Sequence, residues 1–290
     1  MDGPTEFHYR LPMRAGGFRP GSHPGATFGA GQEFAMHGRL FDHPDPRRLD
    51  LNASLRSPRS EWLVRVHLQR VAVPVQVIVD VSASMYFGTH KTKLQVAADF
   101  VEALGYSAFR LGDQVGMLAF DAAERDDLFA PARYGRGVGN VLATRLRECT
   151  NREARDGASA GIAGLHRSAS KLAGRQALIF LVSDFHWPLA ELPAVLDMLV
   201  HACVVPMVVW DAAEIEPPSD GGLLAVNDAE SGERRTLWLT RGMRERWRGA
   251  VAQRRAAIAS LFGKRGIQPF YMQGAFDPEA LSRYFLEAMV

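Results

Sequence analysis

The chain has 290 residues, 47% hydrophobic and 23% charged, which is enough apolar material for one large α/β domain, alone or with an appendage. Its formal net charge of +2 is too small to make nucleic acid or an anionic membrane the main partner, although arginines outnumber lysines. Two cysteines, Cys149 and Cys203, without C-x-x-C spacing exclude a disulfide framework and a thiolate zinc site and fit a reducing compartment.

The first residues, MDGPTEFHYRLPMRAGGFRPG, have neither a basic start nor an apolar h-region, so no secretory signal is expected. No stretch reaches the length of a membrane span, and the expected location is the cytoplasm. Residues 1–60 are rich in Gly, Pro, Arg and His and lack helical or strand periodicity. They are expected to form a loop-rich arm, packed through Phe18, Phe28, Phe34 and Phe41 on a main domain spanning 61–290. The arm histidines His8, His23, His37 and His43 match no compact ligand spacing. Trp62–Leu68 alternates as a strand expected at the edge of the main sheet.

Val75–Val81 is too apolar and β-branched for a solvated strand and reads as a central parallel strand covered on both faces. It runs into Asp80-Val81-Ser82-Ala83-Ser84, where one carboxylate and two hydroxyls can converge on a hard cation such as Mg²⁺ or Mn²⁺. The competing reading has Ser82 or Ser84 capping the next helix. Lys91–Leu111 has helical spacing and ends at Gly112-Asp113; Gln114–Phe120 is a strand, and 135–139 reads as a flexible loop. Helices are expected near 141–149 and 159–172. The buried strand Ala177–Val182 follows, ending in Ser183-Asp184-Phe185. A helix over 189–202, a strand over 204–210, a hairpin over 223–239, an Arg-rich helix over 241–262, a strand over 268–272 and a helix from Pro278 complete the chain. This alternation implies a doubly wound, mostly parallel sheet.

Such a sheet carries both apolar strands to one edge, so Asp80 and Asp184 are expected to meet there with Ser82 and Ser84. Ser159 is the preferred further hydroxyl ligand and Thr150 its competitor; water or a partner's carboxylate would take the remaining position. His186 and Trp187 either line a docking surface or form a partly buried aromatic pair. Arg241, Arg244, Arg246, Arg248, Arg254 and Arg255 either receive an acidic partner or make a solvated helix face.

Asp80, Ser82, Ser84 and the later Ser183-Asp184 resemble a von Willebrand factor A domain with its metal-ion-dependent adhesion site. The segment Gly31-Gln32-Glu33-Phe34, followed by Arg39-Leu40-Phe41-Asp42-His43-Pro44-Asp45-Pro46-Arg47-Arg48-Leu49-Asp50-Leu51, is similar to that of the bacterial MoxR-associated group. That resemblance implies a Rossmann-type fold, a metal held by Asp80, Ser82, Ser84 and Asp184, and a partner AAA+ ATPase of the MoxR type. It also implies an adaptor role toward a client protein offering an acidic residue. The His-Pro-Asp-Pro-Arg-Arg variant looks most like the form found with methanol-oxidation genes, which implies methanol dehydrogenase as client. Pro44-Asp45-Pro46 departs from the group's Gly-Asp-Asp, and Leu51 from its Trp. No Walker motif or G-x-S-x-G elbow occurs, and Ser82 stands where an Asp-x-Asp nucleophile pair needs its second Asp. The expectation is therefore no enzyme. The alternatives are a metal-free scaffold and, behind it, a metal-dependent hydrolase with His186 as acid or base.

Overall fold

The computed structural model describes residues 5–12, 14–16, 19–29, 31, 33–150, 162–218, 222–227 and 234–287. Its contacts separate Leu11–Val73 from a larger unit made of Met1–Arg10 and Pro74–Val290. In the smaller unit, β1 (Pro20–Gly29) and β2 (Glu33–Arg39) each lie antiparallel to β3 (Leu63–Val71), with α1 (Leu51–Leu55) between β2 and β3 in the chain. β3 buries Val64, Val66 and Leu68 on one face and turns Arg65 away, the period of two that its sequence carries.

The loop-rich arm over 1–60 is thus corrected to a three-stranded sheet, and the division falls at 73/74 rather than 60/61. The predicted strand near Trp62 is the middle strand of this sheet, not an edge strand of the main one. The reason is physical. β2 is exposed along most of its length, so no apolar alternation marks it. Glycines that read as loop punctuation instead admit a neighbouring backbone, since a Cβ on Gly31 would lie 1.5 Å from the Leu68 carbonyl oxygen. Residues 5–10 belong to the larger unit: the Phe7 amide donates to Ser107 Oγ at 2.9 Å and its ring packs 6.0 Å from that of Phe100.

In the larger unit the chain order is β4 (Pro74–Asp80), α2 (Lys93–Leu111), β5 (Gln114–Phe120), β6 (Ala130–Arg133), α3 (Val138–Thr150) and α4 (Ile162–Ser170). Next come β7 (Leu178–Ser183), α5 (Leu192–Met198), β8 (Cys203–Trp210), α6 (Ala212–Ile215), β9 (Leu223–Asn227), β10 (Arg234–Trp238), α7 (Arg241–Gly263), β11 (Phe270–Gln273) and α8 (Pro278–Glu287). β9 and β10 make a two-stranded hairpin. The other six strands form one sheet in the order β11-β8-β7-β4-β5-β6, parallel except for β6, a strand with no apolar run to announce it.

Successive residues of β4, β7 and β8 face opposite ways, and both sets are buried. Phe180 packs against Phe100 of α2 and Phe285 of α8, while Ile179 and Leu181 join a cluster with Leu165 of α4, Val195 of α5 and Phe262 of α7. Helices therefore cover both faces of a mixed α/β unit. Gly139, expected in a flexible loop, lies inside α3, where a Cβ on Gly105 of α2 would come within 2.2 Å of the Gly139 Cα. Paired glycines let the two helix backbones approach, a role that turn chemistry cannot announce. Among the described residues no helix is long and apolar enough to cross a membrane.

The chain leaves β4 for β5 and β6 on one side and returns to β7 on the other, so the order reverses beside β4. In open parallel sheets the crevice outside the strand ends at such a reversal is where ligands sit.

Asp50 joins three pieces of the smaller unit, accepting from the Ala53 amide at 3.1 Å, Arg65 Nε at 2.8 Å and facing His37 Nε2 at 3.2 Å. The Ala53 hydrogen bond first, then Arg65 and His37, hold its carboxyl well below the ordinary range. Its stabilisation is therefore present above the unfolded carboxylate pKa and lost as pH falls toward the lower folded value. Asp50→Asn should weaken amide-exchange protection of Val64 and Val66 at pH 6, and its difference from wild type should shrink below about pH 4. Equal protection at pH 6 would show that Asp50 does not hold this sheet together.

Candidate metal centre

β4 and β7 are parallel neighbours with Val79 opposite Val182, so both stop at the same level. Asp80 ends the first and Ser183-Asp184 the second. On the far side of β4, Phe120 lies opposite Asp80 and is followed by Asp121; beyond β7, β8 ends at Trp210 and is followed by Asp211. Four adjacent parallel strands thus each deliver an aspartate to the same edge.

These carboxylates are satisfied in different ways. Asp121 pairs with Arg125 at 3.2 Å. Asp211 caps α6 through the Ala213 amide at 2.9 Å and accepts the Thr89 amide at 3.0 Å. Asp184 Oδ2 accepts from Lys93 Nζ at 2.6 Å, and the same ammonium reaches Glu214 Oε1 at 2.7 Å. Lys93 is only 2% exposed, in the first turn of α2 behind a capping box of Thr92 and Gln95. Asp80 has only neutral donors: the Ser82 amide at 2.9 Å on Oδ1, and on Oδ2 the Ser183 hydroxyl at 2.7 Å and the Trp187 indole at 3.3 Å.

Burial first, and then the negative field of Asp184, push the Asp80 carboxyl up to about 6, against the hydrogen bonds from Ser82 and Ser183. Burial is also the largest single influence on Asp184, but the Lys93 ammonium, with smaller help from His186 and Ser84, keeps that carboxyl below its ordinary value. Lys93 in turn is pulled toward neutrality by burial and held charged, above its ordinary value, by Asp184 and Glu214.

The loop after β7 is bent by Phe185, a non-glycine residue at φ 54°. Its amide donates to Ser183 Oγ at 2.9 Å, the His186 amide donates to Asp184 Oδ1 at 3.1 Å, and Arg254 of α7 donates to the Phe185 and Trp187 carbonyls. The Trp210 indole donates to the Asp184 carbonyl at 2.8 Å.

Of the expected ligands, Asp80, Ser82, Ser84 and Asp184 come together. The two seryl oxygens are 3.3 Å apart, and Ser84 is among the groups that hold the Asp184 carboxyl low. Ser82 precedes a 3-10 turn, Ala83–Tyr86, but its side chain does not cap it. Thr150 is the last residue of α3, and Ser159 lies outside the described residues. Trp187 is buried against Asp80 and not part of a docking face, whereas His186 is 40% exposed and stacks parallel on Trp210. The α7 arginines are partly committed inside the molecule: Arg254 as above, Arg248 to Glu216, and Arg255 over the Tyr271 ring at 4.3 Å.

Lys93, Asp121, Asp211 and Glu214 escaped notice in the sequence. The two aspartates follow apolar strands just as Asp80 and Asp184 do, and Asp211-x-x-Glu214 is a capping box. Lys93 had no local signal, because its partners lie 91 and 121 residues away.

Asp184, His186 and Glu214 offer ligand atoms within 4.8 Å of one another, a second arrangement able to hold a cation. Lys93 already supplies positive charge there. The Asp80 side fits a hard divalent ion better: Asp80, Asp184 and Glu214 against Lys93 leave two negative charges, and Asp80 is a buried carboxylate with only neutral donors facing two hydroxyls.

Residues 42–257 match a family model described as "Protein of unknown function DUF58". The chain is 27% identical over 243 residues to uncharacterized protein Rv1480 of Mycobacterium tuberculosis and, to the same degree, to uncharacterized protein Mb1516 of Mycobacterium bovis, spanning 82% of this chain and 74% of each relative. Among solved structures it is similar to the conserved hypothetical protein BatB from Bacteroides thetaiotaomicron, with TM-score 0.42, 15% identity, and coverage of 75% of this chain and 98% of that one. A PilB minor pilin from Streptococcus sanguinis has TM-score 0.34 and 11% identity over 81% of this chain and 66% of that one.

Removing Lys93 strands two carboxylates, one of them fully buried. Lys93→Met should lower unfolding free energy in urea by about 3–5 kcal/mol. Adding Asp184→Asn to that variant should recover part of the loss; if Lys93→Met alone is neutral, the pair does not brace this edge.

Proposed function

The chain belongs to the DUF58 family, and we propose that it is a non-enzymatic, metal-dependent protein-interaction module of von Willebrand factor A type. Asp80, Ser82, Ser84 and Asp184 would hold Mg²⁺ or Mn²⁺, and the cation, when bound, supplies an electrophilic docking point for a partner's carboxylate. One observation carries this reading: the Asp80 carboxylate is wholly buried with only neutral donors, beside two seryl hydroxyls at the reversal of a parallel sheet.

The chain's own residues do the rest. Ser82 and Ser84 contribute oxygens without charge, which leaves a cation more attractive to an incoming anion than a cage of carboxylates would. Lys93 fixes Asp184 and Glu214 and neutralises one charge of this edge before any ligand arrives. The likeness of the Gly31–Phe34 and Arg39–Leu51 segments to the MoxR-associated group supports a cytoplasmic adaptor that brings a client to a MoxR-type AAA+ ATPase. Within that group the narrower likeness to MxaS supports methanol dehydrogenase as the client.

A second reading has its own support. Because Lys93 already places an ammonium on Asp184, the edge can serve as a metal-free scaffold whose positive charge is built in. The two readings part at Asp80. With metal bound, Asp80→Asn loses an ionic ligand; without metal, it removes a buried charge but turns an amide NH2 toward the donors of Ser82 or of Ser183 and Trp187.

Calorimetric titration with Mg²⁺ and Mn²⁺ should give one saturable site in wild type and none in Asp80→Ala. A co-expressed MoxR-type ATPase should be captured in Mg²⁺ and released by chelator. Absent heats and capture indifferent to chelator would establish the scaffold instead.

A further inference from the structure

Beside the cation site lies a cavity of about 460 Å³ lined by His186, Trp210, Glu214, Trp247, Val251 and Arg254, with Ala250 at its wall. It begins two residues along the chain from Asp184. Apart from the exposed His186 imidazole, whose Nε2 lies 3.6 Å from Glu214 Oε1, the polar groups around it are already hydrogen-bonded. The Trp210 indole donates to the Asp184 carbonyl at 2.8 Å and the Trp247 indole to the Glu214 carbonyl at 2.7 Å. Glu214 accepts from Lys93 and from the Asp211 amide, and the Arg254 guanidinium is held by the Phe185 and Trp187 carbonyls. What remains is ring surface, with His186 and Trp210 parallel to within 3°, and the aliphatic carbons of Ala250 and Val251. A polar occupant would find few partners there, while an aromatic ring matches the walls.

The surroundings say what carries that ring. α7, which forms one wall, has six arginines and a single glutamate along its 23 residues, and it buries only Ile258 and Phe262 near its far end. Arg241 and Arg248 pair with Glu245 and Glu216, and Arg254 and Arg255 lie on backbone carbonyls and the Tyr271 ring. Two glutamates against six arginines still leave the helix bordering the slot with a net positive charge, which favours an acidic partner.

We propose that this slot receives an aromatic side chain of a partner protein, from a segment whose neighbouring Asp or Glu docks at the Asp80–Asp184 edge. The inference rests on the metal-dependent reading for the carboxylate half; the aromatic half stands on the slot alone. Recognition is then of an acidic-aromatic pair rather than of any surface carboxylate.

The test is to pan a 12-residue peptide display library on the full chain in Mg²⁺ and resynthesise the strongest binder with its aromatic changed to Ala, and separately with its acid changed to the amide. Enriched peptides should place Phe, Tyr or Trp within two residues of Asp or Glu. Losing the ring should weaken binding to wild type roughly ten- to hundredfold. In Ala250→Trp, where the new ring fills the slot from an exposed helix position, the two peptides should bind alike, and Trp247→Ala should reduce the difference. No acidic-aromatic enrichment, or an aromatic preference as large in Ala250→Trp as in wild type, would overturn the slot. If the aromatic preference holds while the acid preference survives chelation and Asp80→Ala, the slot stands and the cation reading fails.

Discussion

Like charges gathered at the edge of a parallel sheet repel one another, and the surroundings of that edge are organised around their containment. Parallel strands must all end on one side, so aspartates after β4, β5, β7 and β8 become neighbours whether or not they work together. Each of three finds relief in a different element: Arg125 from the segment after β5, the Thr89 amide with the start of α6, and Lys93 from α2. Asp80, at the middle of the row, receives hydroxyl, amide and indole donors but no cation in any described ion pair. Its position there, and not its identity as an aspartate, sets it apart from the other three.

Much of the larger unit was legible in the sequence because buried parallel strands are uninterrupted apolar runs. Val75–Val81, Gln114–Phe120 and Ala177–Val182 have that form, and the structure places strands over them within a residue or two. The gathering of Asp80, Ser82, Ser84 and Asp184 was legible for the same reason, since topology alone brings those strand ends together. The smaller unit was not. β1 and β2 are edge strands built from Gly, Pro and exposed residues, and they exist because β3 offers hydrogen bonds to both. Pairing of that kind leaves no local pattern to read.

Long-range ionic partners were equally silent. Nothing around Lys93 distinguishes it from a solvated first-turn lysine; only the assembled fold shows it sealed beneath Asp184 and Glu214. The arginines of α7 erred in the opposite direction. A run of like charge suggests a uniform solvated face, yet Arg254 is a structural donor to two backbone carbonyls, Arg255 covers a tyrosine ring and Arg248 closes on Glu216.

The Arg254 bonds also add a polar link between α7 and a loop that already packs on it through Phe185 and Phe262. The loop they grip carries Asp184 at its start and is already bent through the left-handed turn at Phe185. α7 buries Ile258 and Phe262 near its far end, while Trp247 and Arg248 tie its outer turns to Glu214 and Glu216. Arg254 lies between these two sets of contacts, one turn before Ile258. The position of α7 and the backbone that follows Asp184 are thereby fixed to one another by a single guanidinium.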